Sequence, residues 1–415
     1  MNTQELELKL LQQDPSTMMG RYVRTPFTWF FGWGMAGLRY AFTEDIQLTG
    51  LENLVTENGA PLKGPLLWLV KHESWFDFVN YPAIIPDLPE VPLFKGAARN
   101  DYAPWRWLNG VVNTLMKLMF FQLHRIEMKE GLSEEERALL RQGNERILAQ
   151  VRDDYARGYH AAIAPEGTTK TDGRISKIRS GAYELCVVGQ STGEHNGERR
   201  AIRCIPLGNT YDFLAGDTLF GRKRNLVFFN IGEPFQYQPV EREPGESDED
   251  YTRRDRYHFL DQIHERFMQL NTLTTSQLGG LYLYNQLRDH HEGTSVKSVC
   301  TLEELGTAIE QMLAAVCSVS SVSDIFVDNA LLNASSHEKR IRRFYDALVS
   351  QGYLVPDGDH TYLNRERMLH VPASVKEYKQ GNILLYSVNR LDEILQHRPE
   401  IRDALGPRYR RERMG

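Results

Sequence analysis

Cysteine is scarce: Cys186, Cys204, Cys300 and Cys317 are the 4 among 415 residues, and no two form a Cys-x-x-Cys pair. Neither a zinc cluster nor a disulfide framework is indicated, and a reducing compartment is the expectation. Positive charge is not in surplus, since the formal net charge is −6; this argues against a dedicated nucleic-acid binder, and no nucleic-acid partner is expected. The N-terminal stretch Met1-Asn2-Thr3-Gln4-Glu5-Leu6-Glu7 is acidic and lacks a basic region before an apolar run, so no secretory signal is expected. The uncharged interval between Arg24 and Arg39 is shorter than the roughly 17–25 residues a spanning helix needs. No phosphate-binding Gly-x-x-x-x-Gly-Lys loop, dinucleotide fingerprint or nucleophile elbow occurs. His195, His290 and His291 lack partners at metal-ligand spacing, so no metal site is expected.

What is present describes a folded chain. Apolar residues make up 41% and charged residues 25%, ordinary values for a packed protein. The length allows two domains, or one large domain with extensions. Residues 1–59 read as an N-terminal helical segment. Within it, Gly20 to Phe42 mixes Phe27, Trp29, Phe30, Phe31, Trp33, Tyr40 and Phe42 with Arg21, Arg24 and Arg39. That composition suits an element lying in a membrane interface, and equally a helix packed over a neighbouring domain.

Residues 60–240 alternate strands with helices. Pro65-Leu66-Leu67-Trp68-Leu69-Val70 is a short continuous apolar run, the pattern of a strand buried on both faces. Ser133 with Glu136 is a capping-box signature opening a long helix that Gly158 stops. Tyr159 to Ala164 is a second buried strand, a helix is predicted through Gly181 to Val188, and further strands are predicted over Ile202 to Leu207 and Leu226 to Ile231. The expectation is an α/β fold: a mainly parallel central sheet flanked by helices, with an N-terminal aromatic helical segment and a mostly helical C-terminal extension. In such sheets ligands sit beyond the carboxyl ends of the strands, and His72, Glu166 and Asn209 each follow a strand in this reading. Residues 241–256, dense in charge, read as a linker or exposed loop. Residues 257–415 read as mostly helical, with a hairpin near 353–363 turning at Asp357-Gly358.

The chemistry centres on Lys71-His72-Glu73-Ser74-Trp75-Phe76-Asp77. An imidazole is suited to accept a proton near neutral pH, and a carboxylate on its other ring nitrogen would fix the tautomer and stabilise the imidazolium. A His-x4-Asp pair alone is weak, because with 12 histidines about one such pair arises by chance. The bland reading is a surface histidine and a helix-capping aspartate. Position favours the sharper one: the pair directly follows a buried strand, and Pro165-Glu166-Gly167-Thr168 follows the next, with Ile178-Arg179-Ser180-Gly181-Ala182 beyond.

In order and spacing, these blocks over roughly residues 60–235 resemble the glycerolipid acyltransferase family, the PlsC-type domain of glycerol-3-phosphate and 1-acylglycerol-3-phosphate acyltransferases. Cys204-Ile205-Pro206-Leu207 is similar to that family's fourth block. The resemblance implies His72 as general base on the acceptor hydroxyl and Asp77 as its orienting group. It implies that Glu166, Gly167 and Thr168 shape the acceptor pocket, and that Arg125 and Arg179 stand where the family carries basic residues. Independently, Lys95, Arg99, Arg106, Lys117 and Arg125 face a single acidic residue, Asp101, in their stretch, and Lys170, Arg174, Lys177 and Arg179 form a second basic group. Guanidinium and ammonium groups beside a pocket suit a phosphorylated ligand, which puts Lys95 and Arg99 among the candidates. The chain departs from the family pattern at Lys71, where asparagine is usual, at Thr169, where arginine is frequent, and at Leu123-His124.

The expected function is transfer of a fatty acyl group from an acyl thioester, acyl-CoA or acyl carrier protein, to the hydroxyl of a glycerol-phosphate or lysophospholipid. No bound cofactor is expected. A membrane surface is an expected partner, with a cytoplasmic, peripheral location at the inner face. Two alternatives stand: an acyltransferase acting on a different lipid or amine acceptor, and a non-catalytic protein whose C-terminal helix and hairpin form a winged-helix-like binding module.

Overall fold

The computed structural model describes residues 32–62, 64–74, 77–89, 94–98, 120–122, 133–156, 158–191, 194–195, 198–199, 202–219, 221–291, 299–319 and 325–406. At its centre is an 8-stranded sheet. Its strands are β1 (Thr43–Thr49), β2 (Leu66–Val70), β3 (Phe94–Ala98), β4 (Phe120–Gln122), β5 (His160–Ile163), β6 (Arg203–Asp212), β7 (Asn225–Ile231) and β8 (Phe235–Gln236). The order across the sheet is β1-β7-β6-β2-β5-β3-β4, with β8 on β6. Pairings are parallel except those of β6 with β7 and with β8. The protein is thus a mixed α/β structure with a central sheet flanked by helices.

The continuous apolar run of β2 is explained by burial on two sides. Leu67 and Leu69 point into one core with Val151, Tyr155, Phe259 and Phe267, while Leu66 and Trp68 point into another with Ile84, Ile205 and Leu207. Side chains alternate across a strand, so a strand covered on both faces needs apolar residues at every position. The first face is covered by helices α2 (Glu134–Ala156), α3 (Gly181–Ser191) and α4 (Asp248–Gln269). The start of α2 is the capping box: Glu136 N donates to Ser133 Oγ at 3.2 Å and Ser133 N to Glu136 Oε2 at 2.8 Å.

Three sequence boundaries move. The sheet begins at β1, inside the stretch read as N-terminal helical. Ile46 and Leu48 alternate with polar Asp45, Gln47 and Thr49, which is the period of an edge strand, and β1 pairs parallel with β7. Strand β6 runs on to Asp212, so Asn209 lies within it, paired with Phe229, and not beyond its end. The charged run read as a linker is partly helix: α4 starts at Asp248, where Ser247 Oγ accepts from Asp250 N at 3.1 Å. Asp248, Glu249 and Asp250 then fill its first turn, the place where the helix dipole favours negative charge.

The C-terminal residues form α5 (Thr275–His291), α6 (Leu302–Val319), α7 (Ala334–Ser350) and α8 (Ile383–His397), with the hairpin Leu354–Asp357 and His360–Leu363. They are not a separate body. Leu214, Leu226 and Phe228 of the sheet region share one core with Leu278, Ile309, Phe344, Leu384 and Leu391. Arg340 and Arg343, on α7, pair with Glu44 of β1, Arg340 also with Asp328, so part of that helix's charge is taken up inside the fold.

Candidate active site

His72 occupies the loop between β2 and the helix α1 (Asp77–Ala83). Its Nδ1 lies 2.8 Å from Asp77 Oδ2. The same carboxylate oxygen accepts from the backbone of Glu73 at 2.8 Å and of Ser74 at 2.9 Å. Oδ1 accepts from Asn209 Nδ2 at 3.0 Å and from the Tyr211 hydroxyl. Asp77 is 1% exposed. Its carboxylate turns back on residues 72–74, where the oxygen that meets the imidazole also accepts from Ser74 N, a bond of the kind that caps a helix start. The His72 side chain keeps 19% of its surface open. Among the described residues no group holds its Nε2.

The Glu-Gly-Thr loop meets the same place from β5. Glu166 Oε2 accepts from His72 N at 2.7 Å, and Oε1 from Ser176 N at 3.1 Å. Burial pushes the Glu166 carboxyl up to about 7, against the opposing pull of Lys71 and of the two backbone N–H donors. Glu166 therefore ties the two motif loops together. Gly167 sits at φ +63°, a left-handed conformation that glycine adopts without steric cost. Thr168 Oγ1 accepts from Lys170 N at 3.2 Å, which shapes the loop locally. Arg179 N donates to Pro165 O at 2.8 Å, bringing the fourth basic position to the start of this loop, and its Nε is buried without a hydrogen bond.

The remaining candidates divide. Lys95 lies on β3 in register with Ala161 of β5. Arg99 and Arg125 lie outside the described residues. Lys71 is 3% exposed, and its ammonium donates to Asn271 Oδ1 at 2.5 Å. Burial lowers its pKa, partly offset by Glu393 and Glu166. It belongs to the packing beneath the loop.

Several groups have no counterpart in the sequence reading. Tyr211, near the C-terminal end of β6, holds Asp77 together with Asn209, which the sequence reading did place at this edge. From the C-terminal region, Lys379 Nζ donates to Glu73 O and, at 3.0 Å, to Thr169 O. Burial lowers the Lys379 pKa to about 8, opposed by Asp77 and Glu166. Tyr386, Arg390 and Glu393 of α8 reach the same loops: Tyr386 OH donates to Glu73 Oε1 at 3.0 Å, Arg390 pairs with Glu73, and Glu393 accepts from Ile175 N. The available signal was positional. Tyr386, Arg390 and Glu393 fall at i, i+4 and i+7, so they line one face of this amphipathic helix.

Chemically, the arrangement offers an imidazole with one nitrogen fixed by a buried carboxylate and the other open. That is the layout of a general base on a hydroxyl. Among the described residues no group of His, Cys, Asp and Glu side chains is placed to hold a metal ion.

No protein-family model matches this chain, and no curated protein matches it. Among solved structures it is similar to the crystal structure of the 1-acyl-sn-glycerophosphate (LPA) acyltransferase, PlsC, from Thermotoga maritima. The identity is 15%, the match covers 63% of this chain and 88% of that one, and the TM-score is 0.34. A likeness of that size carries no weight for the reaction, which rests on the site.

Proposed function

We propose that this chain is an acyltransferase that moves a fatty acyl group from an acyl thioester to the hydroxyl of a glycerol-phosphate or lysophospholipid. The observation that carries the reading is the His72 imidazole held by Asp77 at 2.8 Å beside the Glu166 loop. His72 Nε2 takes the proton of the acceptor hydroxyl as its oxygen attacks the thioester carbonyl. The tetrahedral adduct then expels the thiolate, which takes the proton back from the imidazolium. Asp77 stabilises the charged ring in between. Acyl-CoA or acyl carrier protein is the donor, with no bound cofactor. The half-buried Arg179, and with it Lys95, Arg99 and Arg125, are assigned to the phosphate of the acceptor or donor.

Contact with a membrane surface belongs to the same reading. No helix among the described residues is long and apolar enough to cross a membrane. Exposed Trp33, Leu38 and Tyr40 with Arg39 between them suit an interfacial contact, which a flotation assay with anionic vesicles tests.

Labelled acyl-CoA and labelled acyl carrier protein, each offered with glycerol 3-phosphate, lysophosphatidate, neutral lysolipids and amines, test the reaction and the acceptor together. The expected outcome is transfer to a phosphorylated glycerol acceptor, lowered roughly 10²–10⁴-fold in His72→Ala. Full activity in that variant, or a trapped acyl-enzyme with ping-pong kinetics, overturns the mechanism. Transfer confined to amines moves the chain to the alternative acceptor class.

A further inference from the structure

The two oxygens of Asp77 are held by groups that converge on one buried side chain from the far end of the sequence. Glu73 donates its N–H to Oδ2, and Tyr211 donates its hydroxyl to Oδ1. Arg390, 1% exposed, forms an ion pair with the Glu73 carboxylate and donates Nη1 to Tyr211 O at 2.8 Å. A planar guanidinium presents several donors in a fixed fork, so a single arginine can span both partners where a lysine cannot. Tyr386 adds a hydroxyl to Glu73 Oε1, and Lys379 holds the Glu73 carbonyl.

The same helix also grips the other loop. Asn389 Nδ2 donates to Asp172 O at 2.8 Å, and Arg174 Nη2 to Asp392 Oδ2 at 2.9 Å. Gly173, at φ +111°, lies so close to α8 that a Cβ there would collide with the Tyr386 carbonyl oxygen. The close approach is built into the loop sequence.

We infer that Arg390, together with Tyr386 and Lys379, is a positioning residue: α8 acts through Glu73 and Tyr211 to hold Asp77 in line with the His72 imidazole. The helical C-terminal region is then part of the catalytic apparatus and not an appended binding module. The effect on turnover rests on the acyl-transfer reading; the effect on the imidazole does not.

The test uses the full chain with Glu73→Leu/Arg390→Met, which removes both members of the pair and so leaves no lone buried charge. Tyr386→Phe, which removes one hydroxyl, serves if the double variant does not fold. Two quantities are read. The first is the low-field proton resonance of His72 Nδ1–H, identified by its loss in His72→Gln; the charged groups around it are Asp77, Glu166, Lys71 and Lys379. The second is the split of kcat and KM. The expected result is a folded double variant whose His72 resonance is lost or broadened, with kcat down about 10²-fold and KM for the acyl donor unchanged. Arg390→Lys should fall between wild type and the double variant in kcat. A folded double variant, or a folded Tyr386→Phe, with the resonance of wild type overturns the inference, as does absence of that resonance from wild type. A wild type that shows the resonance but transfers no acyl group to any acceptor defeats the proposed reaction and leaves the positioning claim standing.

Discussion

Residues 66–77 and residues 379–393 meet at one site but are built on opposite plans. The first segment runs from a dry, wholly apolar strand into a loop whose histidine opens to solvent. The second puts Asn389, Arg390, Asp392 and Glu393 on an amphipathic helix and buries all four. Burying charge costs free energy unless each group is paired and hydrogen-bonded. The helix accepts that cost only where the motif loops supply partners: Glu73, Asp172, Arg174 and Ile175. The proposed reacting groups, His72 and Asp77, lie on the sheet side, and the groups inferred to position them come from the helical side.

The sharpest way to break this pairing is to strand one charge. Arg390→Met alone leaves Glu73 buried without its cation and should cost about 3–5 kcal/mol of unfolding free energy by denaturant titration. The double variant Glu73→Leu/Arg390→Met should recover most of that loss. Equal losses in both would mean that packing, not charge, binds the two segments.

Glu166 probes the junction between the motif loops. In Glu166→Gln an amide N–H faces the N–H of either His72 or Ser176, a loss of about 1–3 kcal/mol. The sign of its pH dependence follows from the raised carboxyl. Wild-type Glu166 contributes stability that is fully present below about 4.5 and is lost as pH rises through about 7. The deficit of Glu166→Gln should therefore be larger at acid pH than above pH 7; a deficit that grows with pH contradicts a buried, proton-binding Glu166.

Gly173→Ala should cost on the order of 1–3 kcal/mol, from overpacking against α8 and from the positive φ. A neutral result would show that the loop can move away from α8 freely. The smallest effect belongs to the exposed pair Arg342–Glu338, 3.1 Å apart on α7. Glu338→Ala should change stability by less than about 0.5 kcal/mol, the control that separates surface charge from the buried set.

How much of this was legible follows the same division. The alternation of buried strands and helices, the capping box at Ser133 and the loop positions of His72 and Glu166 could be read because each follows from local period or spacing. Asn209 was placed past the end of its strand because Gly208-Asn209 looks like a turn. The glycine is there instead for close approach, since a Cβ would strike Leu270. Residues 241–256 read as a linker because dense charge suits solvent exposure, while Ser247 and the acidic first turn from Asp248 mark a helix start. Arg390 and Glu393 leave only their spacing along the helix as a sequence signal, because their partners, Glu73 for the one and Ile175 and Asn271 for the other, lie far off in the chain and no local pattern encodes such distances. Of the arginines expected at the anion site, Arg179 is described, while Arg99 and Arg125 lie outside the described residues.

The central claim, that His72 held by Asp77 carries acyl transfer, is tested most directly by Asp77→Asn in the labelled-thioester assay, with folding verified by thermal unfolding. The asparagine keeps the size of the side chain but cannot stabilise the imidazolium. The account predicts a folded protein whose kcat falls by about 10²–10⁴-fold with little change in KM for the donor. A folded Asp77→Asn variant that turns over at the wild-type rate would contradict it.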